Sequence, residues 1–256
     1  MIIFQEILTG LIVGYIVLSI SESASHNHFL HGSRKIRNVW LKIGKLGGYI
    51  LHSWYSHHVV HHYRTFKNDH VTQFTSIEEE KNLSEDLKAM GKKQIVLNSY
   101  GLRVGSPKEW VKYLYPHLPH YILLCFIGGG WFTVGALFPL FFYEWLAHFI
   151  HPYLHMPYDK ALEKSSPLMR LFLLTPYFKF LAQHHYLHHR YVNCNFNLLL
   201  GGDIIWRCQR FLNQEDIIEI KKLGLFVKNQ LIKENSVSFN SELEIRQQEN
   251  FVGNPE

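Results

Sequence analysis

Eighteen of the 256 residues are histidine, and most of them fall in four short windows. The first is His26-Asn27-His28-Phe29-Leu30-His31. The second is His57-His58-Val59-Val60-His61-His62. The third runs from Glu144 through His148 and His151 to His155. The fourth is His184-His185-Tyr186-Leu187-His188-His189. Imidazole is a good ligand for iron, zinc, copper and nickel. On a helix, residues i, i+3 and i+4 share a face. His58, His61 and His62 therefore converge, and so do His185, His188 and His189. Two such triplets, joined by histidines from two other helices, carry enough donors to hold two metal ions close together. A structural zinc site is a poorer description, because it needs four ligands and usually includes Cys.

At about 7% His, one HxxHH element arises by chance with probability of roughly 0.1, and two with roughly 0.004. The pair is not an accident of composition. The isolated His52, His70, His117 and His120 carry no such pattern and read as ordinary core or surface residues. The three cysteines, Cys125, Cys194 and Cys208, include no CxxC pair and cannot close a disulfide framework. They fit a reducing environment. Cys194 lies near the fourth window, but nothing there marks an activated thiol.

The elements that must position these windows are apolar. The chain is 47% hydrophobic and only 18% charged, against roughly 25% charged in an average soluble domain. Residues 1–24 open with MIIFQEILTGLIVGYIVLSI, about one membrane-spanning length, without the basic leader of a cleaved signal peptide. Arg34, Lys35, Arg37, Lys42 and Lys45 follow it. By the positive-inside rule they place this stretch in the cytoplasm. They form no groove-sized patch, so nucleic acid is not an expected partner. The amphipathic stretch 21–62 predicts short helices lying at the membrane face. Residues 67–117 form a polar insertion with an acidic helix near Ile77–Met90. Residues 120–150 are apolar again and too long for one span, about 45 Å as a single helix. Gly128, Gly129, Gly130 and Pro139 are natural breaks. They predict a hairpin of two short helices that keeps all four windows on one side. Residues 167–182 read as interfacial. The expected organisation is a 1–210 domain followed by an amphipathic helix and polar tail, 211–256, whose last part has the composition of disorder.

The order HxxxxH, HxxHH, HxxxH, HxxHH, interleaved with apolar segments, resembles the fatty acid hydroxylase superfamily. That group includes sterol desaturases, sterol methyl oxidases and fatty acid 2-hydroxylases. The run HHYLHHRYVNCNFNLLLGGDIIW resembles the family's last box with its Asn-Phe-Asn turn and downstream Asp, and Tyr143-Glu144-Trp145 matches the tripeptide before its third box. The resemblance covers roughly residues 1–65 and 120–208. It implies metal ligation by His26 and His31; by His58, His61 and His62; by His151 and His155; and by His185, His188 and His189. Two alternatives stay open. His26 and His31 diverge by about 140° on a regular helix, and His28 pairs better with His31. In the third window Pro152 would start or kink a helix between His151 and His155, so His148 competes with His155. Glu144 is a candidate ligand or a partner orienting an imidazole. His57, His184, Asn195 and Asp203 are candidates for the same two roles.

The resemblance further implies an all-α, integral-membrane protein whose cytoplasmic cap of His-bearing helices encloses two Fe ions. With O2 as co-substrate, the site would hydroxylate, or alternatively desaturate, a lipid or other hydrophobic small molecule in the bilayer. No catalytic residue separate from the metal ligands is expected. The sequence contains no haem motif of cytochrome b5, no Gly-rich dinucleotide loop and no iron–sulfur Cys set. A separate cytochrome b5-like or ferredoxin-like donor with its reductase is therefore implied. Two other classes compete with this reading. A metal-binding membrane protein without oxygenase activity would place its ligands within the spans, lining a path. A zinc hydrolase could use Glu144 as its base, but HExxH is absent.

Overall fold

The computed structural model of the chain describes residues 2–91 and 116–225. Every regular element among them is helical, with no strand. In chain order, α1 (Ile2–Ser25) runs straight into a π-helical segment, π1 (His26–Leu30). It is followed by α2 (Arg34–Leu41), then α3 (Gly44–Trp54), which continues into π2 (Tyr55–Thr65). Next come α4 (Ile77–Ala89), α5 (Leu118–Gly128) and α6 (Gly130–Trp145). The last continues through π3 (Leu146–Ile150) into α7 (His151–Leu154). Short helices α8 (Tyr158–Lys164) and α9 (Pro167–Leu173) lead to α10 (Pro176–Tyr191), α11 (Gly202–Ile205) and α12 (Gln214–Lys222). The tail expected beyond 226 and most of the second half of the insertion lie outside the described residues.

Two rods organise the fold, Ile2–Leu30 and Gly130–Leu154. Both are long and apolar enough to cross a membrane. They cross where side chains are smallest. A Cβ on Gly10 or Gly14 would strike the backbone of Phe132 or Ala136, and one on Gly135 would strike the Ile7 carbonyl. Small residues let two helix backbones approach this closely. The outward residues are apolar: Phe4, Leu8, Ile12 and Ile16 on α1, Phe126 and Ile127 on α5, Phe138 and Phe141 on α6 are all exposed. A belt of this size is unusual for a water-facing surface.

The apolar stretch 120–150 breaks once, at Gly129 (φ +60°) and Gly130 (φ +32°). Pro139 does not break it. It lies inside α6 on the same buried face as Gly135, Ala136 and Tyr143, and tertiary packing there outweighs the hydrogen bond that proline removes. The second arm is therefore a 25-residue rod, longer than the short helix expected.

The inner end of α1 turns polar but stays buried. The Glu22 carboxylate accepts the backbone N–H groups of Leu198 (2.6 Å) and Leu199 (3.0 Å) and the Asn197 amide (3.2 Å). Ser19 donates to the Leu199 carbonyl at 2.7 Å, and Ser23 donates to Asp203 at 2.6 Å. These bonds lash the 194–203 loop to α1. Thr175 caps α10 and Pro176 starts it. The helix stops at Val192 in the left-handed region, and the loop begins. The acidic helix of the insertion forms over Ile77–Ala89, with Ser76 accepting the Glu79 N–H and three glutamates in its first turn. Its Leu83 and Leu87 bury against Val60, which covers the back of π2. Helix α12 is tied to α10 by the Tyr191 hydroxyl donating to Asp216 at 2.9 Å.

Candidate metal centre

The first two windows lie on π-helical backbone. A π turn bonds residue i to i+5 instead of i+4, so residues five apart come to share a face. The His31 N–H donates to the His26 carbonyl at 3.0 Å, and the two rings stack at 5.2 Å. The divergence expected of this pair on a regular helix is thereby removed. His57 and His62 are also five apart, and their Nε2 atoms stand 3.1 Å from each other. The same register turns His58 aside. It stacks on Trp54 at 5.7 Å, meets His31 only through Nδ1 (2.8 Å), and joins neither centre. The triplet that meets in this window is His57, His61 and His62, not the helical His58, His61 and His62.

Two groups of imidazoles result. His26, His31, His57 and His188 bring one nitrogen each within 4.8 Å of the others, and so do His61, His151, His155 and His185. His62 adjoins the first through His57. His189 adjoins the second through His61, Nε2 to Nε2 at 3.1 Å. His62 and His189 stack at 4.0 Å where the two groups meet. Window two contributes to both groups, as does window four. The third window gives His151 and His155. Pro152 sits in the first turn of α7, where no N–H is needed, so it spoils nothing.

The spacing within the groups fits coordination. A metal–imidazole bond is about 2.0–2.1 Å, so ligand nitrogens at right angles stand about 2.9 Å apart and tetrahedral ones about 3.3 Å. The observed Nε2 separations are 2.9 Å for His26–His57, 3.1 Å for His31–His188, and 2.9, 3.2 and 3.3 Å among His155, His185 and His151. Hydrogen bonding alone cannot account for that last triangle. Each Nε2 either donates or accepts along one in-plane direction, so at least one pair presents like to like. A cation at the centre satisfies all three.

Backbone carbonyls set the tautomers. A carbonyl only accepts, so the nitrogen facing it carries the proton and the other keeps the lone pair. The Nδ1–H groups of His26, His188 and His155 donate to the carbonyls of Phe196 (2.7 Å), Cys194 (2.9 Å) and His70 (2.9 Å). In each ring Nε2 is left free and directed into its group. Burial pushes His31, His57, His61, His62, His155, His185, His188 and His189 well below the ordinary histidine range, and repulsion between neighbouring rings adds to it. Neutral imidazole is the metal-binding form.

The remaining candidates go elsewhere. His28 is exposed. His148 faces Phe149 and joins no group. Glu144 has two buried carboxylate oxygens with no hydrogen-bond partner, also outside both groups. His184 holds Asp203 at 3.0 Å, and Asp203 in turn accepts the Asn197 N–H at 2.9 Å. Asn195 clasps the backbone of Arg210. These last three shape the loop whose carbonyls orient His26 and His188. That loop's role, and that of Glu22, left no sequence signal beyond the Asn-Phe-Asn run. His70 stands alone in the sequence and carries no spacing signal.

A cavity of about 50 Å³ touches both groups through His26, His57, His151 and His185, with Phe29, Tyr143 and Phe196 among its walls. It shares Ser25, Phe29 and Pro116 with a chamber of about 610 Å³, lined chiefly by apolar residues such as Val17, Ile20, Leu46 and Ile50. Comparison with protein-family models, with curated proteins and with solved structures returns no match.

Proposed function

We propose that the chain is a membrane-bound, non-haem di-iron oxygenase of the fatty acid hydroxylase type that hydroxylates a lipid-like substrate. The observation that carries this reading is the pairing of two all-imidazole groups, edge to edge, beside a small cavity that shares lining residues with an apolar chamber. Two iron ions held there would activate O2 for attack on an unactivated C–H bond. The protein's own part is positional. His26, His31, His57, His62 and His188 would hold one ion, and His61, His151, His155, His185 and His189 the other. Carbonyls of residues 70, 194 and 196 fix ring orientation. Phe29 lines both the cavity and the chamber, and Phe196 walls the cavity. Neutral ligands leave the centre cationic, and the apolar chamber favours a hydrocarbon over a charged substrate.

The basic surface of α2, with Arg34 and Lys35 exposed beside the first window, supports a cytoplasmic position for the His end. It also offers a docking face to a separate, acidic electron donor. The test is oxygen incorporation. Membranes carrying the protein, an added reductase system and 18O2 should yield lipid bearing one 18O, and the His188→Ala protein should not. Lipids free of label with iron-loaded, reducible protein would refute the proposal.

A further inference from the structure

We infer that His70 is a ligand of the second metal ion, bound through Nδ1; the inference rests on the dimetal reading. His70 lies in the loop between π2 and α4 and is 6% exposed. Its Nε2 stands 3.0 Å from the Leu154 carbonyl. A carbonyl accepts only, so Nε2 carries the ring proton and Nδ1 the lone pair. That Nδ1 is buried and has no hydrogen-bond partner. A buried acceptor left unmatched costs free energy unless something occupies it. What lies in front of it is the second centre. The ligand atoms of His70, His155 and His189 fall within 4.8 Å of one another, and its ring stands 4.5 Å from that of His155 and 5.0 Å from that of His189.

The loop is built to hold this pose. Asp69 accepts the N–H groups of Val71 (2.8 Å) and Thr72 (2.5 Å) and the Thr72 hydroxyl (2.9 Å), a local turn that fixes the backbone on either side of His70. The contact with the third window is reciprocal. His70 donates to the Leu154 carbonyl, and His155 donates to the His70 carbonyl at 2.9 Å. His70 thus sets the orientation of one ligand with its backbone and offers another with its side chain. Its ligand atom joins the second group on the side of His155 and His189.

The experiment uses full-length protein in detergent, reconstituted with Fe(II) without oxygen, and reads iron per chain, affinity by chelator competition and the Mössbauer spectrum. Wild type is expected to hold two irons. His70→Ala should weaken one of them by about 10- to 100-fold, the range for losing a supporting partner, or more, and should change one quadrupole doublet while leaving the other. His70→Gln keeps a donor for Leu154 but supplies no imidazole, so it should behave like Ala. Added imidazole should restore the lost iron to His70→Ala. Overturning results are wild-type affinity in both variants, or restoration by Gln alone, which would make His70 only a clamp. Apo-protein melting of the variants, matched to wild type, excludes misfolding as the cause. A wild-type chain that binds no metal is a separate outcome and overturns the dimetal reading itself.

Discussion

Windows two and four carry the same pattern, HHxxHH, and the structure uses it in two different ways. In window four, on α-helical backbone, the second member of the leading pair, His185, faces the imidazole groups with His188 and His189, while His184 turns out to hold Asp203. In window two, on π-helical backbone, the first member, His57, faces inward with His61 and His62, and His58 turns out onto Trp54. The residues are equivalent and the backbone hydrogen-bond register is not. A shift of the backbone hydrogen bond from i+4 to i+5 is enough to exchange which imidazole of a pair faces the histidine groups.

That contrast is most directly broken by single substitutions. The largest effect is expected for His57→Ala and His185→Ala, each of which should lower the affinity for one iron by more than about 100-fold, beyond the loss typical of supporting partners. His58→Ala should retain both irons. Iron counting with chelator competition checks all three, and the reverse result for His57 and His58 would restore a regular helix in window two. A smaller effect, about 10-fold, is expected for Asp203→Ala, because it frees the loop whose carbonyls orient His26 and His188. It should fall on one of the two irons only, read as one altered Mössbauer doublet. His184→Ala should act in the same direction and more weakly.

The metal-free protein sharpens the comparison through pH. The buried imidazoles of both windows are held well below the ordinary histidine range, whereas unfolded His titrates near about 6.5. Above that pH neither state binds extra protons and stability is flat. Below it the unfolded chain takes up protons that the folded chain cannot, so stability falls as pH falls. Melting of apo protein from pH 8 to 5 should show a plateau and then a steep decline. A double variant, His61→Gln with His189→Gln, should flatten that decline. The smallest effect is expected for His28→Ala, which removes an exposed ring and should leave both iron content and melting unchanged.

Much of this was legible in the residues. The helical class followed from the length of the apolar segments and the family resemblance, and the acidic helix near Ile77–Met90 from its acidic run. His185, His188 and His189 lie on one regular α-helix, α10, as the spacing expects, but His188 goes to one imidazole group and His185 to the other. The π register was not legible, because no residue type announces it. Its effects therefore fell on His26, His31, His57 and His58, where i+4 reasoning misplaces side chains. Pro139 looked like a break because local propensity cannot see that α1 packs against its helix. His70 was invisible for a different reason. Its role depends on the Leu154 carbonyl, 84 residues away, and only the folded chain brings them together.

The central claim is that two irons sit side by side in an imidazole cage. It is tested most directly by loading detergent-purified protein with Fe(II) anaerobically, counting iron per chain and recording Mössbauer spectra before and after brief exposure to O2. Two irons per chain are expected, coupled magnetically once oxidised, with one lost in His57→Ala or His188→Ala. A single zinc that iron does not displace, or no metal at all, would contradict it.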